Sequence, residues 1–597
     1  MSYAAPLDRM RFTLDAVCDL DDLTRQGFPD LSRDLVAAIL QEAGKFAAGV
    51  FAPLNRVGDA QGCVLENGVV RTPEGFKAAY KHFVEGGWNC LSATPDYGGQ
   101  GLPFVLQTAV QETITSANMA FSLCPLLSQG AIEALSAHGS PRQKATYLPK
   151  LISGEWTGTM NLTEPQAGSD VGALKTRAEP VGDGRYKIKG TKIFITWGEH
   201  DCAENIIHLV LARLPGAPPG TKGISLFLVP KFLVEENGAL GKRNDLRCVS
   251  LEHKLGIHAS PTAVMSYGDN DECIGWLIGG ENRGMAAMFT MMNNARIGVG
   301  LQGVAIAERA YQAAVHYARE RVQSAKFGSP SRAPVAIIEH ADVRRMLMTM
   351  RAHTEAARAI VYRTAAAVDW AHHGGDKETR EAAQGLADLL TPIAKAYGTD
   401  VGVEVASLGV QVHGGMGYIE ETGAAQHYRD ARIAPIYEGT NGIQALDLVG
   451  RKLAMDGGAH WQNLVADMAA FAKALAADKG ALAGLAPYLE DALAALAAAS
   501  RWLMDKDMGS ADHVAAAASP YLRLFALTLG GHLLAVEARA AQAQLAAGAP
   551  EKTLFHAKIA TARFFAEQIL PQAPALLGLV TRGGDGLYAL SAEALAG

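Results

Sequence analysis

Ile433-Ala434-Pro435-Ile436-Tyr437-Glu438-Gly439-Thr440-Asn441-Gly442-Ile443-Gln444 is the stretch on which the reading of this chain turns. An acidic residue sits there between an aromatic and a glycine, where one apolar segment stops and the next begins. Pro435 marks a break, and Ile443-Gln444-Ala445-Leu446-Asp447-Leu448-Val449 resumes with helical apolar spacing. A carboxylate on such a junction can face a cavity while packed segments hold it from both sides, as a positioned general base requires. Taken alone, Tyr-Glu-Gly-Thr is equally the pattern of a solvated loop glutamate. The rest of the chain decides between the two.

At 597 residues the chain exceeds a single core, and about three or four domain-sized units are expected. Hydrophobic residues make up 49% and charged ones 19%, which implies an ordered, globular protein. A net charge of -7 and a pI of 6.2 argue against nucleic acid as a main partner. The 7 cysteines are scattered and form no CxxC, which suits a reducing compartment and neither a disulfide framework nor a metal site. The N-terminus carries charges where a secretory signal needs an apolar core. No run reaches the ~18 uninterrupted apolar residues of a spanning helix. A cytoplasmic protein with no transmembrane segment is expected.

Residues 1–35 are mixed and read as an arm, with Asp19-Leu20-Asp21-Asp22 as a helix-start cluster. Residues 36–155 read as an N-terminal α-domain, with helical spacing over 35–48, 76–86, 104–120 and 126–138. Ser140-Pro141 starts a further helix with proline in its first turn. The texture changes at Trp156. Tyr186 to Thr196 alternates with period two, and Ile206–Ala212 and Ile224–Val229 are short β-rich runs. Without a helix-length pattern between them, they predict an antiparallel barrel or sandwich over 156–278. Residues 279–455 read as a helical bundle, with helices over 285–321, 340–372, 378–412 and 443–454. Asp456-Gly457-Gly458 looks like a linker, and 461–597 is an additional, alanine-rich α-helical domain. Its breaks are expected at Gly480, Pro487, Gly509, Pro520, Gly548-Ala549-Pro550 and Pro571. The fold class is therefore α+β and multidomain.

Four further motifs could carry chemistry. Met160 to Gly172 runs from a strand into a loop of small residues and hydroxyls. Such a loop can bring backbone N–H groups, Thr163 and Ser169 against a polar ring or a phosphate, or it can simply lie at the surface. Phe194 and Thr196 lie two apart at the end of the best strand, on one face, where they form either an aromatic wall with a hydroxyl or ordinary core. Gly298-Val299-Gly300-Leu301-Gln302-Gly303 formally matches a dinucleotide fingerprint, but no strand precedes it. These glycines are better explained as letting helices approach closely. Gln411 to Tyr418 is a glycine-rich bend after a helix, suited to close approach by a ligand or to a plain helix end.

Together and in order, these segments resemble the acyl-CoA dehydrogenase family. The match runs over roughly 35–455 through Tyr97-Gly98-Gly99-Gln100-Gly101, Thr163-Glu164-Pro165 with Gly168-Ser169-Asp170, Ile195-Thr196, Gly279 to Gly284, Gln411 to Gly417 and Tyr437 to Thr440. The arm and the extension after 455 are similar to the longer bacterial branch, which includes fatty acyl-CoA and 3-methylmercaptopropionyl-CoA dehydrogenases. The resemblance implies FAD between the β-domain and the C-terminal bundle, a fatty acyl thioester against it, and a role in fatty-acid β-oxidation. It places Thr163 and Thr196 on the isoalloxazine edge and Phe194 on its ring, with Ser169 on cofactor phosphates or the substrate's CoA. Arg321, Gln411 and Gly415 match positions that reach the FAD of a neighbouring subunit, and Thr440 one near its adenosine end. A homo-oligomer is implied, with a dimer favoured because of the extension. Glu438 matches the catalytic base, flanked by Tyr437 and Gly439 at the substrate, with Arg296 nearby. In the family, proton abstraction from the α-carbon accompanies hydride transfer from the β-carbon to flavin N5, yielding the trans-2-enoyl-CoA. An electron-transfer flavoprotein is the implied acceptor.

Some relatives carry the base immediately before the matched arginine, where this chain has Ala295, which favours Glu438. The chain departs from the family at Ser324-Ala325-Lys326, inserted before Phe327-Gly328, and at Gly442, Phe194 and His413. Two rival readings share the fold: an acyl-CoA oxidase that reduces oxygen, and a non-catalytic nucleic-acid-associated flavoprotein. The second calls for a basic C-terminal face, whereas acids from Asp467 to Glu567 are interspersed with the bases there.

Overall fold

The computed structural model describes residues 3–478, 480–505, 511–582 and 584–597. Helices come first: α1 (Leu7–Val17), α2 (Leu20–Gly27), α3 (Arg33–Phe46), α4 (Ala52–Gln61), α5 (Phe76–Glu85), α6 (Phe104–Ala117), α7 (Met119–His138) and α8 (Pro141–Ser153). Ser140 and Gln143 form a reciprocal capping box at the start of α8, with Pro141 in the first turn. Between α4 and α5, β1 (Val64–Glu66) and β2 (Val69–Arg71) make a hairpin, since Asn67 and Gly68 both accept positive φ. Residues 1–35, read as an arm, are packed against the rest of the protein. Met10, Leu14, Leu20 and Leu23 are buried, so α1 and α2 are packed helices. Asp19 does precede α2, but its side chain makes no cap bond and its backbone is left-handed.

The strands follow: β3 (Trp156–Asn161), β4 (Arg177–Gly182), β5 (Arg185–Thr196), β6 (Asn205–Arg213), β7 (Ile224–Pro230), the hairpin β8 (Phe232–Val234) and β9 (Leu240–Arg243), then β10 (Leu246–Leu251), β11 (Thr262–Tyr267) and β12 (Ile274–Ile278). The sheet order is β10-β11-β5-β12-β7-β6-β3. Strand β4 pairs with β5 and meets β6 at Arg177–Arg213, so β5, β12, β7, β6 and β4 close a ring. The pairing is antiparallel as expected, except that β3 lies parallel to β6 from Trp156–Asn205 to Asn161–Val210 and β4 meets β6 in parallel at Arg177–Arg213. β6 and β7 are buried along nearly their whole length, which is why they read as continuous apolar runs.

The bundle contains α9 (Gly284–Glu320), α10 (Ala341–His373), α11 (Lys377–His413), α12 (Ala424–Ala431) and α13 (Asn441–Asp447). A Cβ added at Gly300 would lie 2.5 Å from the Ala394 carbonyl oxygen, and one at Gly303 only 1.9 Å from that of Gly398. The glycine run thus serves helix contact, with no dinucleotide fold around it. The linker residues Asp456, Gly457 and Gly458 all have positive φ and turn the chain sharply into the extension. The extension comprises α14 (Ala459–Ala477), α15 (Ala486–Met504), α16 (Ala511–Ala546), α17 (Lys552–Gln568), α18 (Gln572–Thr581) and α19 (Ala592–Ala596). The break expected at Pro520 is absent, because Ala517, Ala518, Tyr521 and Leu522 keep a buried face continuous through it. Gly509 lies outside the described residues. Among the described residues, Arg33–Gln61 and Ala511–Ala546 are long and apolar enough to cross a membrane. The apolar window of the second is 78% buried inside the protein and that of the first 33%.

A buried ion network ties the extension to the bundle. Arg358 donates to Glu112 at 2.7 Å and to Glu308 at 2.9 Å, and Arg9 of α1 reaches Glu308 at 2.5 Å. Lys558 of α17 pairs with Glu355 of α10 at 2.9 Å and with Glu537 of α16 at 2.8 Å. Burial would raise the Glu308 carboxyl, but Arg9 and Arg358 outweigh it and hold it at about 2. Its folded value lies below the ordinary 4.5, so its stabilisation is complete above that pH and is lost as pH falls toward 2. Lys558→Met leaves two buried carboxylates without their shared cation. It should cost roughly 3–5 kcal/mol, read as a lower denaturant midpoint at unchanged slope.

Candidate active site

The segment Ala434 to Asn441 is a loop pinched at its neck. Asn441 N–H donates to the Pro435 carbonyl at 3.0 Å, and the Thr440 hydroxyl to the same oxygen at 3.3 Å. Lys395 of α11 bolts both stems, donating to the Ala434 carbonyl at 3.0 Å and to Asn441 Oδ1 at 2.8 Å. Asn441 is held in turn by Asp400 Oδ1 at 2.7 Å. At the tip Glu438 and Gly439 are both left-handed, with φ of 54° and 83°. A non-glycine residue held there stores strain that the surrounding structure must hold in place. Gln444 donates to the Gly439 carbonyl at 3.2 Å and sits where a Gly439 side chain would go, 2.5 Å from an added Cβ. The Tyr437 hydroxyl donates to Gln302 of α9 at 2.5 Å.

Glu438 is half-buried, and burial raises its carboxyl above the ordinary value while Arg296 and Lys395 pull it down. Burial brings the Lys395 ammonium down to about 7, against the pull of Glu438 and Asp400. Arg296 is buried and lies 3.6 Å from Asp447 across an ion pair. The result is a carboxylate that is a stronger base than an exposed glutamate, fixed between Arg296 and Lys395. The Glu438 N–H makes no hydrogen bond among the described residues.

A second cluster forms at the end of β5. Ile193 N–H donates to the Thr163 carbonyl at 2.9 Å, so the loop after β3 lies against Phe194 and Thr196. The register with β11 shifts between Ala263 and Met265, and Phe194 has φ of 59°. The expectation that Phe194 and Thr196 share a face of a regular strand is therefore corrected. A bulge turns Phe194 outward and leaves it 57% exposed. Glu164 anchors the loop by pairing with Lys192 at 2.8 Å and accepting from Thr176 N–H at 3.0 Å.

The other expected residues are placed differently. Ser169 is exposed on the loop, away from these hydrogen bonds. Arg321, Gln411 and Gly415 are exposed at the far ends of α9 and α11, so one chain does not bring them to either cluster. Lys395, Gln302, Gln444 and Asn441 were missed by sequence reasoning. Lys395 alone left a signal: a lone lysine within the apolar period of Leu390, Ile393, Ala394 and Tyr397.

Comparison with known proteins decides the family. Four models match in order: acyl-CoA dehydrogenase N-terminal domain (37–155), middle domain (159–269) and C-terminal domain (282–454), and an acetyl-CoA dehydrogenase C-terminal-like domain (464–591). The 3-methylmercaptopropionyl-CoA dehydrogenase of Ruegeria pomeroyi is 50% identical over 592 residues, covering 99% of this chain and 100% of the relative. The chain belongs to the acyl-CoA dehydrogenase family. A butyryl-CoA dehydrogenase of Syntrophomonas wolfei is 39% identical over 90% of each chain. The FAD complex of an acyl-CoA dehydrogenase from Bacillus anthracis superposes with a TM-score of 0.74 at 22% identity, over 94% of this chain and 91% of that one.

This acyl-CoA dehydrogenase is thus an FAD-dependent oxidoreductase. The β5 cluster fits the cofactor. An exposed aromatic ring held by a strained backbone stands beside two half-buried threonines, Thr163 and Thr196, whose hydroxyls have no partner among the described residues. A planar polar ring supplies both the stacking surface and the missing hydrogen bonds.

Lys395→Met removes the bolt on the Glu438 loop without touching the β5 cluster. It should retain the flavin spectrum while slowing flavin reduction roughly 100-fold, the scale of an ångström's misplacement. Its pH–rate profile should move to higher pH, since one of the two cations that lower the Glu438 pKa is gone.

Proposed function

We propose that this protein converts an acyl-CoA thioester to its trans-2-enoyl-CoA, with Glu438 as the base that removes the α-proton. The observation that carries this reading is the half-buried Glu438, flanked by Arg296 and Lys395, on a loop fastened from three sides. Burial strengthens the carboxylate as a base, while Arg296 and Lys395 keep it ionised. The free Glu438 N–H is the donor for the thioester carbonyl, which lowers the cost of the developing enolate charge. Tyr437 and Gly439 wall the acyl group, and Gln302 and Gln444 fix both. When bound, FAD supplies the two-electron acceptor for the hydrogen that leaves the β-carbon. Thr163, Phe194 and Thr196 hold its ring system, and Ser169 and Thr440 serve its phosphate and adenosine ends.

Arg321, Gln411 and Gly415 face outward, which supports a contribution to the FAD site of a second copy in a homodimer. Electrons then pass to an electron-transfer flavoprotein. The substrate is a short acyl-CoA, including the 3-methylmercaptopropionyl thioester named for the relative that is 50% identical end to end.

Glu438→Gln keeps the shape of the loop and removes the base. It should bind FAD and acyl-CoA but reduce the flavin at least ~100-fold more slowly, measured as anaerobic bleaching of the visible spectrum. Near-wild-type bleaching would refute the assignment.

A further inference from the structure

A slot runs between α6, α7 and α9. Its α9 wall is Asn294, Ala295, Gly298 and Leu301, on the face of the helix that also carries Gln302, the partner of Tyr437. Gly298 lies against Leu126 of α7, where a Cβ would come within 2.6 Å of the leucine methyl. The slot is therefore narrow at that point.

Six of its twelve lining residues are polar. Three of these residues are each bonded to the protein itself. Gln107 accepts from Ser92 N–H at 3.1 Å, Gln111 donates to the Ser122 carbonyl at 3.3 Å, and Thr108 donates to the Phe104 carbonyl at 2.8 Å. The other three are Gln129 and Glu133 of α7 and Asn294 of α9. Gln129 makes no hydrogen bond among the described residues. Asn294 bonds the Glu133 carboxyl, whose Oε2 is buried without a hydrogen-bond partner. Burial pushes this carboxyl up to about 8, so at neutral pH it carries its proton and can donate. Among the described residues no lysine or arginine lines the slot. An anionic acyl end would find no cation there and a second carboxyl group beside it.

We propose that Glu133, with Gln129 and Asn294, is a subsite that reads a neutral hydrogen-bond acceptor, an ether or thioether atom, in the acyl chain. The proposal rests on the reading that this slot holds the acyl group of the substrate. A buried donor left unpaired by an alkyl chain is penalised, whereas an acceptor at that depth meets it. The subsite therefore selects heteroatom-bearing chains over alkyl chains of equal length, and it rejects dicarboxylic thioesters.

The test compares kcat/KM of the flavin-loaded enzyme for 3-(methylthio)propanoyl-CoA, pentanoyl-CoA and glutaryl-CoA. The wild type should favour the methylthio chain over the alkyl chain by roughly five- to tenfold, the scale of one hydrogen bond, and should turn over glutaryl-CoA least. Because sulfur also changes the reactivity of the β-carbon, the deciding quantity is the change in this ratio on mutation. Glu133→Leu should bring the ratio several-fold down while pentanoyl-CoA turnover persists, and Glu133→Gln, which can still donate, should hold it. Asn294→Leu, on a different helix, should move the ratio the same way and serves if Glu133→Leu fails to hold flavin. An unchanged ratio in both leucine variants, or a preference for glutaryl-CoA, overturns the subsite. Failure of the wild type on all three thioesters would instead count against the dehydrogenase reading.

Discussion

Helices α9 and α11 touch backbone to backbone, and the site is built on that contact. Gly300 and Gly303 of one meet Ala394, Gly398 and Gly402 of the other so closely that any side chain would displace a carbonyl. Ridge-and-groove packing of larger residues would hold the axes about 8–10 Å apart, and glycine contact brings them closer. Arg296 and Gln302 project from α9 and Lys395 from α11, at the level of the glycine seam. All three engage the loop that carries Glu438. A bulky residue in the seam would part the helices and release the loop from both sides at once.

Rigid support is what permits the strain at the loop tip. Glu438 and Phe194 are both non-glycine residues in left-handed conformation; the first is half-buried and the second exposed. The cost of such a backbone, of order 1–3 kcal/mol, is met by neighbours. Gln444, Asn441 and Lys395 hold the first, and the Glu164–Lys192 pair with β11 holds the second. Trp197, also left-handed, is buried and donates to the Ala120 carbonyl of α7, which docks the β-domain on the N-terminal helices. The two halves of the site are thus oriented by buried contacts away from the open ends of the strand and the loop.

The N-terminal helices and the extension are secured by different physics. The alanine-rich faces of the extension offer little area per residue, and the ion network adds directionality. Glu112, Glu308, Glu355 and Glu537 are balanced by Arg9, Arg351, Arg358 and Lys558, drawn from α1, α6, α9, α10, α16 and α17. Removing any one leaves a charge in an apolar interior, so the arrangement specifies which helices meet.

Much of this was legible in the chain. Period-two alternation and apolar runs marked the strands, helical spacing marked α9 to α11, and the order of six short motifs pointed to the family. Local chemistry sufficed there, because caps, turns and amphipathic periods act within a few residues. It did not suffice where partners are distant. The packing of the arm was not legible because its partners, Glu308 for Arg9 and Glu537 for Thr13, lie hundreds of residues away. The bulge at Phe194 depends on β11. Pro520 was read as a break because its lost hydrogen bond is local and the packing that offsets it is not. Sequence alone determined which residue types stand at the loop, namely one carboxylate between an aromatic and a glycine. Only the tertiary structure decided that Lys395 and Arg296 flank that carboxylate and that burial raises the Glu133 carboxyl, because a charge's environment is set by what folding packs around it.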